Sequence, residues 1–281
     1  MNIGSYTIYP IETGRFRLDG GAMFGIIPKP LWSKTNPPDD RNRITLASRG
    51  LLAVGNKRVI LIDNGNGSKF TEKQKDIYHL DQSQSDLISS LNRVGYQASD
   101  VTDVILTHLH FDHAGGSTVL MDGEIVPAFP NARYLVQRAH WEHAQHPTEK
   151  DRGSFMQDDF QPLQQHHVIE FVDGECQLFP QISVLVTNGH TTAQQLPVLS
   201  DGRKTLMFCC DLFPTLAHIP LPYIMAYDLR PLITLEEKKR ILNMAVEQDW
   251  ILYFEHDPGT VAGKVVRTEK GFTFGTSVSL E

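Results

Sequence analysis

One short segment constrains this chain more than any other: residues 107–116, which read THLHFDHAGG. It follows three apolar residues, a pattern typical of a short buried strand. Side chains two residues apart on an extended backbone point the same way, so His108 and His110 converge on one point. Asp112 and His113 follow at the turn and can reach a second point beside the first. Because imidazole nitrogen and carboxylate oxygen suit zinc, iron or manganese, the segment predicts a metal site.

Three polar residues further along the chain are predicted to complete this site. His190, Asp211 and His256 each follow or close an apolar run with the character of a buried strand. Since strand ends deliver polar groups to one rim of a sheet, we expect the three to meet the histidine segment there. The competing interpretation is a histidine-rich surface turn without a metal, which the three downstream candidates disfavour.

The seven candidates resemble the metal-binding pattern of the metallo-β-lactamase-fold hydrolases. This resemblance implies two divalent cations, with zinc as the expected metal. It assigns three side chains to the first cation and three to the second: His108, His110 and His190, then Asp112, His113 and His256. Asp211 would bridge the two cations, and Asp63 would support the site from behind.

The same resemblance implies the fold and the chemistry. The fold is α/β, a four-layer α/β/β/α metallo-β-lactamase-like sandwich in which residues 1–281 form a single hydrolase domain. The residue pattern alone indicates only a mixed α/β protein. The implied enzyme is a metal-dependent hydrolase in which a hydroxide shared by two cations, about 3.5–4 Å apart, attacks an ester or lactone carbonyl. Asp112 and Asp211 are its implied catalytic residues, orienting the hydroxide and fixing the spacing of the cations.

Within the family, the chain resembles the N-acyl homoserine lactonases and methyl parathion hydrolase. The alternatives left open are a phosphotriesterase, a thioester hydrolase similar to glyoxalase II, a one-iron persulfide dioxygenase and a non-enzymatic metal-containing sensor. The lactonases often have a tyrosine shortly after the bridging aspartate, whereas residues 212–214 here read LFP. Tyr223, Tyr227 or His218 is therefore expected to make the substrate contact of that tyrosine.

A substrate pocket is predicted beside the metals. The segment 19–32 resembles the opening of the methyl parathion hydrolase branch, and it contributes three of the candidate lining side chains. The candidates are Met23, Phe24, Trp32, Phe213, His218, Tyr223 and Tyr227. Such a lining suits a small, uncharged and partly apolar substrate.

Composition narrows the remaining classes of protein. A formal net charge of −7 disfavours a general nucleic-acid binder. No apolar run approaches the roughly 18–20 residues that span a membrane, and the first residues do not read as a signal peptide. Three cysteines give no disulfide framework. We therefore expect a cytoplasmic protein that binds neither nucleic acid nor membrane, and family habit suggests a homodimer.

Hydrophobic periodicity gives a coarse map of the elements. Strands are predicted at 5–11, 22–27, 44–54, 57–63, 104–107, 134–136, 168–172, 176–179, 182–186, 194–199, 205–210 and 250–255. Helices are predicted at 85–94, 138–145 and 234–247, the last with Thr234 as N-cap in a capping box with Glu237. Residues 28–41 are predicted as an irregular loop and 150–165 as a mobile one. A solvated helix face is predicted for His140, His143 and His146.

Overall fold

The structure, a computed structural model, describes residues 1–280, which form sixteen β-strands and eight α-helices. The strands are β1 (Asn2–Ile3), β2 (Tyr6–Asp19), β3 (Arg43–Gly55), β4 (Arg58–Ile62), β5 (Asp103–Ile105), β6 (Thr118–Met121), β7 (Glu124–Pro127), β8 (Arg133–Gln137), β9 (Ile169–Val172), β10 (Cys176–Phe179), β11 (Ile182–Thr187), β12 (Gln194–Ser200), β13 (Thr205–Phe208), β14 (Ile251–Tyr253), β15 (Ala262–Thr268) and β16 (Gly271–Ser277). The helices are α1 (Gly20–Phe24), α2 (Lys29–Trp32), α3 (Glu72–Tyr78), α4 (Leu87–Arg93), α5 (Phe111–Ala114), α6 (Arg138–Gln145), α7 (Gln161–Gln165) and α8 (Pro231–Glu247).

Two seven-stranded sheets form the centre of the fold. The first has the strand order β1-β2-β3-β4-β5-β8-β9, and the second runs from β10 to β16 in sequence order. Most neighbours are antiparallel, but β4, β5, β8 and β9 are parallel to one another, and β13 is parallel to β14. Parallel neighbours end at the same edge of a sheet, so the loops that follow β13 and β14 leave the second sheet at one edge.

Apolar side chains from both sheets meet in one core. Leu51 and Ile62 of the first sheet belong to the same buried cluster as Leu206 and Leu252 of the second. Helix α8 adds Ile241 and Leu242 to this cluster. A separate cluster joins the first sheet to α4 and α6, through side chains that include Leu61, Val104, Leu91 and Trp141. The helix–sheet–sheet–helix order confirms the predicted four-layer α/β fold.

The strand predicted over residues 22–27 is wrong, because the chain forms α1 there. Asp19 caps this helix, accepting a hydrogen bond from the backbone nitrogen of Ala22 at 2.8 Å. Gly25 ends the helix with a φ of 54°, a conformation that favours glycine. The next segment, predicted as irregular, contains α2.

Two predictions in the second half of the chain are also corrected. The segment 150–165 contains α7 and buries Phe155, Phe160 and Leu163, so it is a packed segment rather than a mobile loop. Helix α8 has Arg230, not Thr234, as its N-cap.

No helix among the described residues is both long enough and apolar enough to cross a bilayer.

Candidate metal centre

The ends of four strands bring the seven candidate ligands to one place between the sheets. His108 and His110 follow β5, and α5 begins immediately after His110 and carries Asp112 and His113. His190 follows β11, Asp211 lies in a 3-10 turn after β13, and His256 follows β14. All seven side chains are buried.

The first cluster contains three histidines and one carboxylate. Nδ1 of His110 lies 3.0 Å from Nε2 of His108 and 3.2 Å from Nε2 of His190. Oδ2 of Asp211 lies 3.0 Å from Nε2 of His190. The ligand-type atoms of all four residues lie within 4.8 Å of one another. The nitrogens thus point at one another, an arrangement that suits a shared cation.

The second cluster lies directly beside the first. Nε2 of His256 is 3.1 Å from Nε2 of His113. The Asp112 carboxylate is 3.9 Å from Nε2 of His113 and 3.8 Å from Nε2 of His256. These three residues also have their ligand-type atoms within 4.8 Å of one another.

Asp211 connects the two clusters. While Oδ2 faces His190 of the first cluster, it is also 3.6 Å from Nε2 of His113 in the second. Oδ1 is 3.3 Å from Nε2 of His256. One carboxylate therefore reaches both groups of histidines, the position that a bridging ligand needs.

Four of the five histidines are held from behind through Nδ1, which leaves Nε2 facing the centre. His190 Nδ1 lies 2.9 Å from Oδ1 of Asp228, and His256 Nδ1 lies 2.8 Å from the carbonyl oxygen of Ala47. His108 Nδ1 lies 3.1 Å from the hydroxyl of Thr107. Outer partners of this kind fix the tautomer and the orientation of metal-binding imidazoles.

The fourth, His113, is held by the Asp63 carboxylate, and the Glu255 carboxyl group lies beside it. Its Nδ1 lies 3.0 Å from Oδ2 of Asp63 and 3.0 Å from Oε2 of Glu255. Asp63 is itself anchored, since it accepts hydrogen bonds from the Thr107 backbone nitrogen at 2.8 Å and from the Thr107 hydroxyl at 2.6 Å. This places Asp63 behind the site, the position in which the family resemblance implied a supporting aspartate.

The donors fit divalent cations. Oδ1 of Asp211 is buried without a hydrogen-bond partner, which is costly unless another group satisfies it. Burial, reinforced by the neighbouring histidines, holds the pKa of His108 and His110 well below the usual range, so their lone pairs stay available. Against the effect of burial, nearby carboxylates raise the pKa of His113 well above its usual range. The carboxylates around His113 therefore favour positive charge, and neutral imidazole with carboxylate suits zinc.

A cavity of about 270 Å³ opens onto the two clusters. Besides the candidate ligands His110, Asp112, His190, Asp211 and His256, its lining comprises Leu18, Met23, Leu46, Tyr78, Phe111, Lys150, Asp151, Gly153, Ser154, Met225 and Tyr227. Two of the predicted pocket residues, Met23 and Tyr227, are therefore at the cavity.

The other five predicted pocket residues, Phe24, Trp32, Phe213, His218 and Tyr223, do not line this cavity. Phe24 stacks on Trp32 and on His218, with ring centroids 5.3 Å and 4.7 Å apart, and Tyr223 meets it edge-on. His218 has both nitrogens occupied, by the Thr215 hydroxyl and the Met23 carbonyl, each at 2.8 Å. Phe213 is fully buried beside Lys238. Phe24, Trp32, His218 and Tyr223 thus pack against one another, and Phe213 belongs to the main hydrophobic core.

Several residues that shape the site were not found from the sequence. His140 is buried instead of lying on a solvated face: its ring accepts from the Leu109 backbone nitrogen at 2.8 Å, between two candidate ligands. Asp228 and Glu255 contact candidate ligands, and Lys150 reaches the cavity from a segment without periodicity. Only Glu255 carried a local signal, since it directly precedes His256.

Known proteins resemble this chain in sequence and in structure. An N-acyl homoserine lactonase from a Bacillus species is 29% identical over 174 residues, 61% of this chain and 62% of that protein. The match thus spans less than two thirds of the relative's length. A probable metal-dependent hydrolase from Staphylococcus aureus superposes with a TM-score of 0.90, at 28% identity, over 99% of this chain and 98% of the other.

A second solved structure shares the fold at lower identity. AidC, a dizinc quorum-quenching lactonase in complex with a homoserine product, superposes with a TM-score of 0.81 at 19% identity, over 99% of this chain and 97% of AidC. The sequence profile of the metallo-beta-lactamase superfamily matches residues 48–256, a stretch that contains all seven candidate ligands. From this match and the shared fold, we conclude that the chain belongs to the metallo-beta-lactamase superfamily.

Proposed function

We propose that this protein is a dinuclear-metal-dependent hydrolase that opens lactone or ester bonds in small molecules, with N-acyl homoserine lactones as the first candidate substrates. The observation that carries the proposal is the position of Asp211, whose two oxygens face His190 at 3.0 Å and His256 at 3.3 Å. A carboxylate between two clusters of imidazole nitrogens suits a pair of cations better than a single one. The Bacillus relative, named as an N-acyl homoserine lactonase, supports the choice of substrate.

Seven residues would hold the cations. The first would be held by His108, His110 and His190, the second by Asp112, His113 and His256, and Asp211 would contact both. When bound, two such cations lower the pKa of a shared water towards about 7 and polarise a carbonyl oxygen. Zinc is the metal that this donor set and the dizinc structural neighbour favour.

Residues of the chain itself would then orient the substrate. Asp112 lines the cavity and belongs to the second cluster, where its second carboxylate oxygen could accept a hydrogen bond from the attacking water. We assign the donor to the substrate carbonyl to the hydroxyl of Tyr227, which lines the cavity. Burial, with the Asp19 and Asp112 carboxylates nearby, raises its pKa, so the phenol keeps its proton. Of the three candidates for this contact, Tyr223 and His218 lie outside the lining and Tyr227 lies within it.

The cavity favours an uncharged substrate with an apolar part. Leu18, Met23, Leu46 and Met225 give one wall an aliphatic character. Lys150 is the one cationic side chain, histidines aside, among the described residues of the lining. Its ammonium already donates to the carbonyl oxygens of Ala226 and Tyr227, at 2.7 and 3.0 Å. An anionic substrate would therefore find little free positive charge apart from the cations.

A substrate panel tests the proposal. Zinc-loaded protein is assayed on N-acyl homoserine lactones of several chain lengths, an aryl ester, a thioester and a phosphotriester, with and without a chelator. We expect chelator-sensitive turnover that is fastest on a lactone or ester. A preference for the phosphotriester or the thioester would replace this substrate class, and silence on all substrates with two zinc ions bound would favour a metal-containing sensor.

A further inference from the structure

Cys210 has a backbone conformation that is unusual for its residue type. Its φ is 49°, in the left-handed region where any side chain with a β-carbon is strained. Glycine would adopt this conformation without strain. The residue opens the 3-10 turn that presents Asp211, and its side chain is fully buried. We therefore expect the cysteine side chain to make a contact that glycine could not make and that compensates for this strain.

The thiol makes such a contact, behind the first cluster. Sγ of Cys210 lies 3.0 Å from the hydroxyl oxygen of Thr107 and 3.4 Å from Nδ1 of His108, and it is also within 4.8 Å of a ring nitrogen of His113. Among the described residues, Thr107 and Cys210 are the two that come within hydrogen-bond distance of Nδ1 of His108. All three side chains are at most 1% exposed.

Each hydrogen-bond donor among His108, Thr107 and Cys210 has an acceptor. If Nε2 of His108 faces a cation, Nδ1 must carry the proton and donate it backwards. The Thr107 hydroxyl donates its single proton to Asp63 at 2.6 Å, which leaves its lone pairs to accept from His108 and from the Cys210 thiol. Cys210 thus fills the last acceptor position on Thr107 and closes the space beside the imidazole.

We infer that Cys210 is a positioning residue, whose thiol holds the His108–Thr107 pair so that His108 Nε2 points at the first cation. This inference rests on the proposed dinuclear site, since it concerns how firmly one of its cations is held. Cys209 supplies a matched comparison. It is equally buried, but its sulfur faces the Met207 carbonyl oxygen, at 4.0 Å, rather than a candidate ligand.

The experiment compares Cys210→Ala, Cys210→Gly and Cys210→Ser with Cys209→Ala. Zinc affinity is measured for both equivalents by competition with a chromophoric chelator, and the melting temperature of each metal-free protein is recorded alongside. We expect Cys210→Ala and Cys210→Gly to weaken one of the two equivalents by about 10- to 100-fold, the usual effect of losing an outer partner. Cys209→Ala should bind both equivalents as wild type does, and Cys210→Ser should bind more tightly than Cys210→Ala.

The glycine variant separates positioning from packing. Because it relieves the strained φ, its metal-free form should melt no lower than that of Cys210→Ala, even though its zinc affinity falls. Zinc affinities of the three Cys210 variants equal to that of Cys209→Ala would overturn the inference and leave the proposed function intact. Failure of the wild-type protein to bind zinc would overturn both.

Discussion

Asp228 holds His190 from the side opposite the metal centre, with Oδ1 of the carboxylate 2.9 Å from Nδ1 of the imidazole. Thr234, in the first turn of α8, fixes the other carboxylate oxygen by donating its hydroxyl proton at 2.7 Å. A helix that lies outside the site thus orients one of its candidate ligands. Glu237 of the same helix accepts from the backbone nitrogens of Asn188 and Gly189, just before His190.

This arrangement predicts that Asp228→Ala weakens zinc binding. Without the acceptor, His190 loses its preferred tautomer and orientation, and we expect the affinity of one zinc equivalent to fall by about 10- to 100-fold. Chelator competition measures the change. Asp173→Ala, which removes an exposed carboxylate paired with Arg138, is the control. Equal affinities in the two variants would contradict the role given to Asp228.

Asp211→Ala is expected to abolish turnover and to lower the bound metal at the same time. The substitution removes the only described carboxylate that contacts histidines of both clusters. Elemental analysis after dialysis, together with initial rates on the best substrate, measures both effects. Wild-type metal content with full turnover would defeat the bridging assignment.

Tyr227→Phe should lower kcat by about 100-fold, the order of magnitude lost with one donor to a developing oxyanion. The phenyl ring remains, so metal content and folding should not change. Tyr78→Phe is the matched control, because Tyr78 also lines the cavity with a phenol. If the two variants lose activity equally, Tyr227 has no special position relative to the substrate.

Chelation should destabilise the protein. Removing the cations leaves buried carboxylates close together, among them Asp63, Asp112, Asp211 and Glu255. A ligand present at a thousand times its Kd contributes about 4 kcal/mol, which corresponds to a fall in Tm of about 10 °C for a domain of this size. Differential scanning calorimetry with chelator, then with excess zinc, measures the loss and its recovery. An unchanged Tm would argue against tight binding.

Because His218 is buried, it should lower the free energy of unfolding as the pH falls. Burial lowers the pKa of His218 from 6.5 to about 3 in the folded protein. The unfolded chain therefore binds the extra proton first, so the contribution of His218 is fully present above pH 6.5 and is lost progressively towards pH 3. The free energy of unfolding should fall by up to about 1.4 kcal/mol per pH unit from this residue alone.

His218→Gln isolates the effect, because glutamine can keep both hydrogen bonds but does not titrate. Urea unfolding at pH 7 and at pH 5 should show a smaller difference for this variant than for wild type. His146→Gln, at an exposed position, is the control. An unchanged difference for His218→Gln would show that His218 does not contribute to the acid sensitivity.

The sequence was most informative about the candidate metal ligands, because each of them has a recognisable position relative to a strand. The alternation of His108 and His110 behind a short strand, and polar residues after β11, β13 and β14, were sufficient to predict which side chains the fold brings together. The two-residue period of an extended backbone explains the first pattern. The second arises because strand ends place polar side chains at the edge of a sheet. The four-layer architecture came from the family resemblance rather than from periodicity.

The pocket was harder to predict, because it depends on how distant segments pack. Phe24 and Trp32 have the composition of a pocket wall, yet they stack on each other behind it. Lys150 reaches the rim through hydrogen bonds to a segment more than 70 residues away, at Ala226 and Tyr227. No local pattern in the sequence carries such information.

The candidate centre joins residues that follow strands of both sheets, and this position affects how the protein unfolds. His108 and His113 belong to the first half of the chain, whereas Asp211 and His256 belong to the second. Cations shared by these residues would connect the two halves of the chain directly. Neither half of the metal-loaded protein could then open alone without first releasing a cation, so thermal unfolding of the metal-loaded protein would coincide with the release of its metal.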